Sequence, residues 1–294
     1  MDKLIRVERT LLIGHIIFMA FGLAGILLVL PNADFIAALP DFGKTAFAWS
    51  MAGGGVVYMI LGTGAVAVYA YRTLGLWHCL GFMVPAIGLS LIAELVGTST
   101  GFPFGHYHYL SGLGYKIAGL VPFTIPLSWF YVGFSAYTIA RAGLETFAIP
   151  QILKYIGAIG FGSLLLTSWD FVLDPAMSQT TVPFWVWEQP GAFFGMPYEN
   201  FAGWFGTGVV FMTVATFIWR LKPLTLSPQE LGLPLAVYIG NFAFATIMSI
   251  AAGFYIPTLL GLLVGILPLM FFYQMATTRS AQTAVTEALE SETI

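Results

Sequence analysis

The sequence has very few charged residues. Of its 294 residues, 9% are charged and 58% are hydrophobic, whereas a soluble domain usually carries about 25% charged residues. Apolar stretches of about 20 residues, the length that crosses a bilayer, recur along the whole chain. The formal net charge is −3, and its charges are scattered, so no nucleic-acid partner is indicated. The composition therefore predicts one polytopic membrane domain.

Residues and motifs on which many enzymes depend are also scarce. The single cysteine, Cys79, excludes an internal disulfide and a cysteine-rich metal or iron–sulfur site. Four histidines are too few for the histidine boxes of a membrane di-iron hydroxylase. Walker, dinucleotide-binding and Gly-x-Ser-x-Gly motifs are missing, and no lysine lies at the middle of an apolar stretch, where a retinal Schiff base would need one. Any reaction that this protein catalyses must therefore need few catalytic groups.

Apolar stretches bounded by charges, Pro or Gly predict eight transmembrane helices. They cover about 11–30, 46–70, 75–97, 121–141, 152–172, 201–220, 234–252 and 254–274. With the N-terminus inside, nine of the eleven Lys and Arg lie in inner segments and only Lys44 and Lys116 in outer ones, in agreement with the positive-inside rule. We expect an all-α integral membrane protein with both termini cytoplasmic, a single membrane domain over 1–276 and a polar, disordered tail over 277–294.

Two long outer loops and the helix ends beside them carry the polar residues that could be functional. Segments 98–120 and 173–200 are rich in aromatic residues, Gly and Pro, so we expect partly re-entrant or interfacial structure there. Glu94 and Asp170 lie near the outer ends of the third and fifth predicted spans. An acid at the centre of a membrane helix costs about 2.5–3.5 kcal/mol, so such acids are usually paired, cavity-facing or functional.

Other polar and aromatic residues fall on the same side of the membrane. They are His106, Tyr107, His108, Tyr109, Trp169, Asp174, Trp185, Trp187, Glu188, Glu199 and Trp204. The sequence thus predicts one site toward the non-cytoplasmic leaflet. The alternative is an interfacial aromatic belt with acids that end helices, and Asp174 could cap a short helix beginning at Pro175. One His-x-His pair with Glu94 is too little to indicate a metal site.

Four motifs around these residues resemble a known family. They are ELVGTSTGFPFGHYHY from Glu94, WDFVLDPAM from Trp169, WVWEQPGAFFG from Trp185 and MPYENFAGW from Met196. These motifs are similar to those of the CruF-type carotenoid hydratases. The resemblance implies addition of water across the terminal 1′,2′ double bond of an acyclic carotenoid ψ-end, giving a tertiary 1′-hydroxyl without cofactor or metal. The implied partners are a carotenoid from the lipid phase and water, with other carotenoid enzymes as further candidates.

The chemistry that the resemblance implies suggests roles for these residues. Hydration of an alkene starts with protonation, and a carboxylic acid whose pKa is raised by burial can donate the proton. Our hypothesis makes Asp170 the general acid and lets Asp174 or Glu94 hold the water. His106 or His108 would relay protons. The residues expected to bind substrate, several of them through aromatic faces that stabilise a cation, are Tyr107, Tyr109, Trp169, Trp185, Trp187, Glu188, Asn200 and Trp204.

Two other classes of function fit the same features. One is a membrane transporter of a hydrophobic solute, with the acids as coupling-ion ligands, although no inverted repeat is visible. The other is a different cofactor-free prenyl-lipid isomerase or cyclase, which would use the same acid and aromatic residues but exclude water from the cation. The shape of the pocket should distinguish these alternatives.

Overall fold

A computed structural model of the protein describes residues 2–180, 182–224, 226 and 228–278. Its helices are α1 Asp2–Ala24, α2 Ala33–Ala38, α3 Asp41–Thr100, α4 Thr124–Leu144, α5 Gln151–Ser178, α6 Tyr198–Arg220, α7 Gly232–Ala251 and α8 Tyr255–Gly261. A π-helical turn extends α1 over Gly25–Val29, and another follows α8 over Leu262–Ile266, after which the helix continues to Thr278. The predicted disordered tail lies outside the described residues, apart from helical Thr277 and Thr278.

Helices long and apolar enough to cross a membrane make up most of the described chain. There are six of them, namely Asp2–Val29, Gly53–Thr100, Gln151–Ser178, Tyr198–Arg220, Gly232–Ala251 and Tyr255–Thr278. Large apolar side chains such as Phe21, Val84 and Leu259 point outward and are exposed, as expected for a surface in contact with lipid. The prediction of an integral, largely α-helical membrane protein is confirmed.

Helix α3 contains two of the predicted spans and folds back on itself. Gly75 interrupts the helix with φ 80° and ψ 168°, a conformation that glycine adopts without steric penalty. The Cys79 thiol lies 3.6 Å from the carbonyl oxygen of Ala67, although a straight helix would separate two residues twelve positions apart by about 18 Å. The two arms of α3, residues 41–74 and 76–100, therefore run antiparallel.

Helix α4 occupies the centre of the bundle. Every residue of α4 except Leu127 is buried, and the helix packs against α3, α5 and α7. It contacts protein rather than lipid, so polar side chains are tolerated where they pair across helices, as in the 2.7 Å hydrogen bond between the Tyr137 and Thr216 hydroxyls. This explains why α4 matches the predicted range 121–141 but is not among the six apolar helices.

The two loops that were predicted to be outer loops form a small β-structured cap, which the all-α prediction did not include. Strand β1 (Tyr107–Tyr109) pairs antiparallel with β4 (Trp185–Trp187), while β2 (Lys116–Ile117) pairs with β3 (Val121–Pro122). The β1–β4 pair joins the first long loop to the second. This pairing brings together segments that the sequence analysis could assign only to the same side of the membrane.

The end of α5 differs from the capping alternative considered for Asp174. The helix continues through Pro175 to Ser178, so Asp174 lies inside the helix and does not cap a new one. The Ser178 hydroxyl lies within 2.8 Å of the Asp174 carbonyl oxygen and 2.9 Å of its Oδ1, and these contacts close the final turn. Asp170 and Asp174 consequently share one face of α5.

Candidate functional site

Three buried carboxyl groups line one cavity beneath the cap. Glu94, near the end of α3, is 2% exposed, and Asp170 and Asp174 of α5 are 1% and 2% exposed. Aromatic side chains from the cap loops and from α5 and α6 also line the cavity: Phe104, Tyr107, Tyr109, Trp169, Trp185, Trp187 and Trp204. The structure thus brings together most of the residues that the sequence analysis assigned to one site.

Strand alternation decides which cap residues reach this cavity. In the β1–β4 register, Tyr107 is opposite Trp187 and Tyr109 is opposite Trp185. Successive side chains of a strand point to opposite faces, so these four aromatic residues share the inner face. His108, between the two tyrosines, points outward and is exposed.

Glu94 is held as an acceptor by three neutral donors. Its Oε2 accepts hydrogen bonds from the hydroxyls of Tyr107 and Tyr109, the latter at 2.9 Å, and its Oε1 accepts one from Trp129 Nε1 at 3.0 Å. Burial raises the pKa of the Tyr107 and Tyr109 hydroxyls well above the ordinary value of a phenol. Both hydroxyls therefore stay protonated and remain donors. Among the described residues, each group that hydrogen-bonds to this carboxyl group donates to it.

Asp174 is held in the same way. Its Oδ1 accepts hydrogen bonds from Ser178 Oγ and Trp187 Nε1, both at 2.9 Å, and its Oδ2 accepts one from Trp185 Nε1 at 3.0 Å. The two indoles come from alternate positions of β4, which places both N–H groups on the inner face. A three-residue strand thereby supplies two of the three donors.

Asp170 has a different environment. Within the described part of the chain, one hydrogen bond reaches its carboxyl group, from Asn200 Nδ2 to Oδ2 at 2.7 Å, and Oδ1 has no partner there. Asn200 is itself buried in the first turn of α6. Asp170 lies one helical turn from Asp174 and faces the same cavity. Of the three acids, only Asp170 has a carboxyl oxygen without a hydrogen-bond partner among the described residues.

Two indole rings, those of Trp169 and Trp204, line the same cavity as Asp170. Trp204 is one helical turn after Asn200 on α6 and stacks on Trp129, with ring centroids 4.1 Å apart and planes inclined by 21°. Trp169, the neighbour of Asp170 in sequence, meets Trp204 edge to face at 5.9 Å. These rings give the cavity polarisable faces of the kind that stabilise a cation.

Several predicted site residues do not reach the cavity. His108 Nδ1 lies 2.8 Å from Glu188 Oε1, and both side chains are more than half exposed. His106 is also exposed, and Glu199 is exposed and accepts a hydrogen bond from Gln189. Strand alternation and the loop geometry turn them outward, so the geometry does not support a histidine proton relay or a substrate contact by Glu188.

Trp129, the third donor to Glu94, was not among the predicted site residues. Trp129 is fully buried in α4, and a tryptophan inside a predicted span was its one signal. His15 was not predicted as a site residue either. It is buried and hydrogen-bonds to Tyr58 and Asn241. His15 Nδ1 is 2.7 Å from the Tyr58 carbonyl oxygen, so Nδ1 carries the proton and Nε2 accepts from Asn241 Nδ2 at 3.0 Å.

Comparison with known proteins supports the family that the four motifs indicate. A sequence profile for carotenoid biosynthesis proteins matches residues 54–268. The chain belongs to the carotenoid biosynthesis protein family. The matched region runs from the first arm of α3 to beyond α8 and includes the cap and all three cavity acids. The family predicted from the motifs is therefore confirmed.

One curated member of similar sequence has a stated activity. A bisanhydrobacterioruberin hydratase from Haloarcula japonica is 33% identical over 138 residues, which is 44% of this chain and 45% of that relative. The match thus spans about half the length of the curated relative. No solved structure matches this member of the carotenoid biosynthesis family.

Proposed function

We propose that the protein is a cofactor-independent carotenoid hydratase that adds water across the 1′,2′ double bond of an acyclic ψ-end. Its family and the hydratase relative support this class of reaction. The observation that carries the proposal is the unequal hydrogen bonding of the three cavity acids. Glu94 and Asp174 each accept three hydrogen bonds, whereas Asp170 accepts one and keeps an oxygen for the substrate.

In this proposal Asp170 begins the reaction as a carboxylic acid. Its proton forms the new C–H bond at C2′, and the electron pair of the double bond moves with it, so the cation develops at the tertiary carbon C1′. A water molecule attacks C1′ and releases a proton, which returns to the Asp170 carboxylate. The sum is one water added per double bond, without any redox change.

The other cavity residues assist this cycle. The Asn200 amide orients the Asp170 carboxyl group through the 2.7 Å hydrogen bond. The faces of Trp169 and Trp204 stabilise the cation, each by about 0.5–2 kcal/mol when desolvated. The fixed acceptors Glu94 and Asp174 add negative potential, and their remaining lone pairs can hold the attacking water. Tyr107, Tyr109, Trp185 and Trp187 position these two carboxylates.

We also propose a topology for the protein in the membrane. The antiparallel arms of α3 and the central helix α4 bring the number of crossings to eight, since helices occur at all eight predicted ranges. Nine of the eleven Lys and Arg then lie on the inner side, with both termini cytoplasmic. The cavity would face the non-cytoplasmic leaflet and take its carotenoid from the lipid phase, where other carotenoid enzymes could deliver it.

The test is expression of the chain and of Asp170→Asn in a host that makes an acyclic ψ-end carotenoid such as lycopene. Wild type should give products heavier by the mass of one or two waters, and Asp170→Asn should lower that yield by about 10²–10⁴-fold at equal protein level, the usual effect of a general acid. Asp34→Asn is the matched control, because Asp34 is an exposed acid of α2.

Other outcomes would change the assignment. Full yield from Asp170→Asn would place the acid elsewhere. Well-inserted wild-type protein that gives no hydrated product from several ψ-end carotenoids would contradict the hydratase. A product of unchanged mass would instead favour the isomerase or cyclase alternative.

A further inference from the structure

We infer that the acyclic chain of the substrate enters the cavity sideways from the bilayer, between the C-terminal end of α1 and the first arm of α3. This inference rests on the proposed function for the identity of the substrate. The lateral opening is defined by Gly22 and Gly25 of α1 and by Ser50 and Gly54 of α3. All four residues line the same cavity as Asp170.

Farther along the same seam, the two helices are in close contact. A Cβ added at Gly62 would come within 2.8 Å of the His15 ring, and one added at Gly14 within 3.2 Å of Leu61. His15 lies beside Gly62, and Glu8 lies beside Arg72. Lower residue numbers on α1 therefore meet higher residue numbers on the first arm of α3, so the two run antiparallel. Glycine permits the close approach here.

At the lateral opening the helices diverge. The antiparallel register places 22–25 opposite 50–55, yet among the described residues a Cβ at Gly22 or Gly25 would meet no heavy atom within 4 Å. A Cβ at Gly54 would meet only Ser50 Oγ of its own helix, at 3.7 Å. The π-helical turn of α1 also begins at Gly25, and such turns often mark functional sites. Gly22, Gly25 and Gly54 therefore border open space and are not needed for close helix packing.

Burial and polarity also indicate a path for a hydrocarbon chain. The residues of the lateral opening are partly exposed, and Met51 beside them is 37% exposed, whereas Asp170 at the other end of the cavity is 1% exposed. Within the part of the chain that the structure describes, no charged side chain lines the cavity at the opening. A ligand with a long apolar chain and a reactive end fits this arrangement, since the end reaches Asp170 while the rest of the chain stays in the lipid.

Leucine substitutions test the lateral opening. Gly54→Leu and Gly22→Leu should fill the opening without a clash, and they should lower the yield of hydrated lycopene by about tenfold or more, the scale at which pocket volume discriminates between ligands. Gly53→Leu is the matched control. Gly53 is the neighbour of Gly54 and has equally open surroundings among the described residues, but it does not line the cavity, so its yield should equal that of wild type.

A labelling experiment makes the test independent of catalysis. Gly54→Cys in membranes should react with a permeant maleimide, and added lycopene should slow the reaction, whereas Gly53→Cys should react at a rate that lycopene does not change. The native Cys79 is 4% exposed, and wild type measures its background. Protection of Gly54→Cys would support the opening even if no hydration occurred. Absence of protection, or unchanged hydration by Gly54→Leu, would overturn it.

Discussion

Two groups of acids in this protein are stabilised in opposite ways. On the predicted inner side, the Arg72 guanidinium lies 2.8 Å from Glu8 and 2.7 Å from Glu230. In the cavity, Glu94, Asp170 and Asp174 have no Lys, Arg or His partner among the described residues, and neutral N–H and O–H groups donate to them instead. The Arg72 guanidinium brings a permanent positive charge to its two acids, whereas neutral donors leave a carboxyl group available for chemistry.

The difference follows from what each group connects. Arg72 ties α1, through Glu8, to the turn that precedes α7, through Glu230. The hydrogen bond from Arg72 lowers the pKa of Glu230 below its ordinary value. Glu230 therefore stays ionised and the ion pair with Arg72 is maintained. The cavity acids connect α3, α5 and α6 to the cap, and Asp170 is left with one partner. We therefore read the first group as structural and the second as functional.

The largest expected effect comes from breaking the inner group. Arg72→Leu leaves Glu8, whose side chain is 5% exposed, without its cation, and loss of one partner of a buried ion pair costs about 3–5 kcal/mol. Thermal unfolding of purified protein in detergent should show this loss, while hydration per folded molecule is retained. Arg6→Leu, at an exposed position of α1, is the control. An unchanged unfolding temperature for Arg72→Leu would remove the contrast between the two groups.

A smaller effect is expected when the cavity loses one neutral donor. Trp187→Phe keeps most of the ring but removes the N–H that donates to Asp174 Oδ1 at 2.9 Å. The weakened hydrogen bonding of a buried acceptor should cost about 1–3 kcal/mol, measured by the same unfolding assay. Trp49→Phe, which alters an indole that is 76% exposed, should have no effect. Equal stabilities of these two variants would mean that the indole does not hold Asp174.

The smallest effect is expected at the outer face of β1. His108→Ala removes an exposed contact with Glu188, and exposed ion pairs contribute about 0–1 kcal/mol. Hydration yield and unfolding temperature should both stay close to those of wild type, and the same holds for the exposed His106. A loss of yield comparable to that of Asp170→Asn would restore the histidine relay and place the reaction partly outside the cavity.

The sequence by itself determined the class of the protein, most of its helices and the family. Hydropathy is a local property, so apolar stretches of sufficient length indicated helices at the ranges where the structure has them. The motifs from Glu94 to Tyr109 and from Trp169 to Trp204 also contain all three cavity acids and most of the aromatic residues around them. The predicted spans 46–70 and 75–97 also place a reversal of the chain near Gly75, where the structure folds α3 back on itself.

Only the tertiary structure decided which of these residues act together. The β1–β4 register turned Tyr107 and Tyr109 inward and His108 outward, although all three belong to one short motif. Trp129 reaches Glu94 from another helix, a contact that no local pattern encodes. The distinction between Asp170 and Asp174 likewise depends on donors from β4 and α6, because the hydrogen bonding of a buried acid is set by groups distant in sequence.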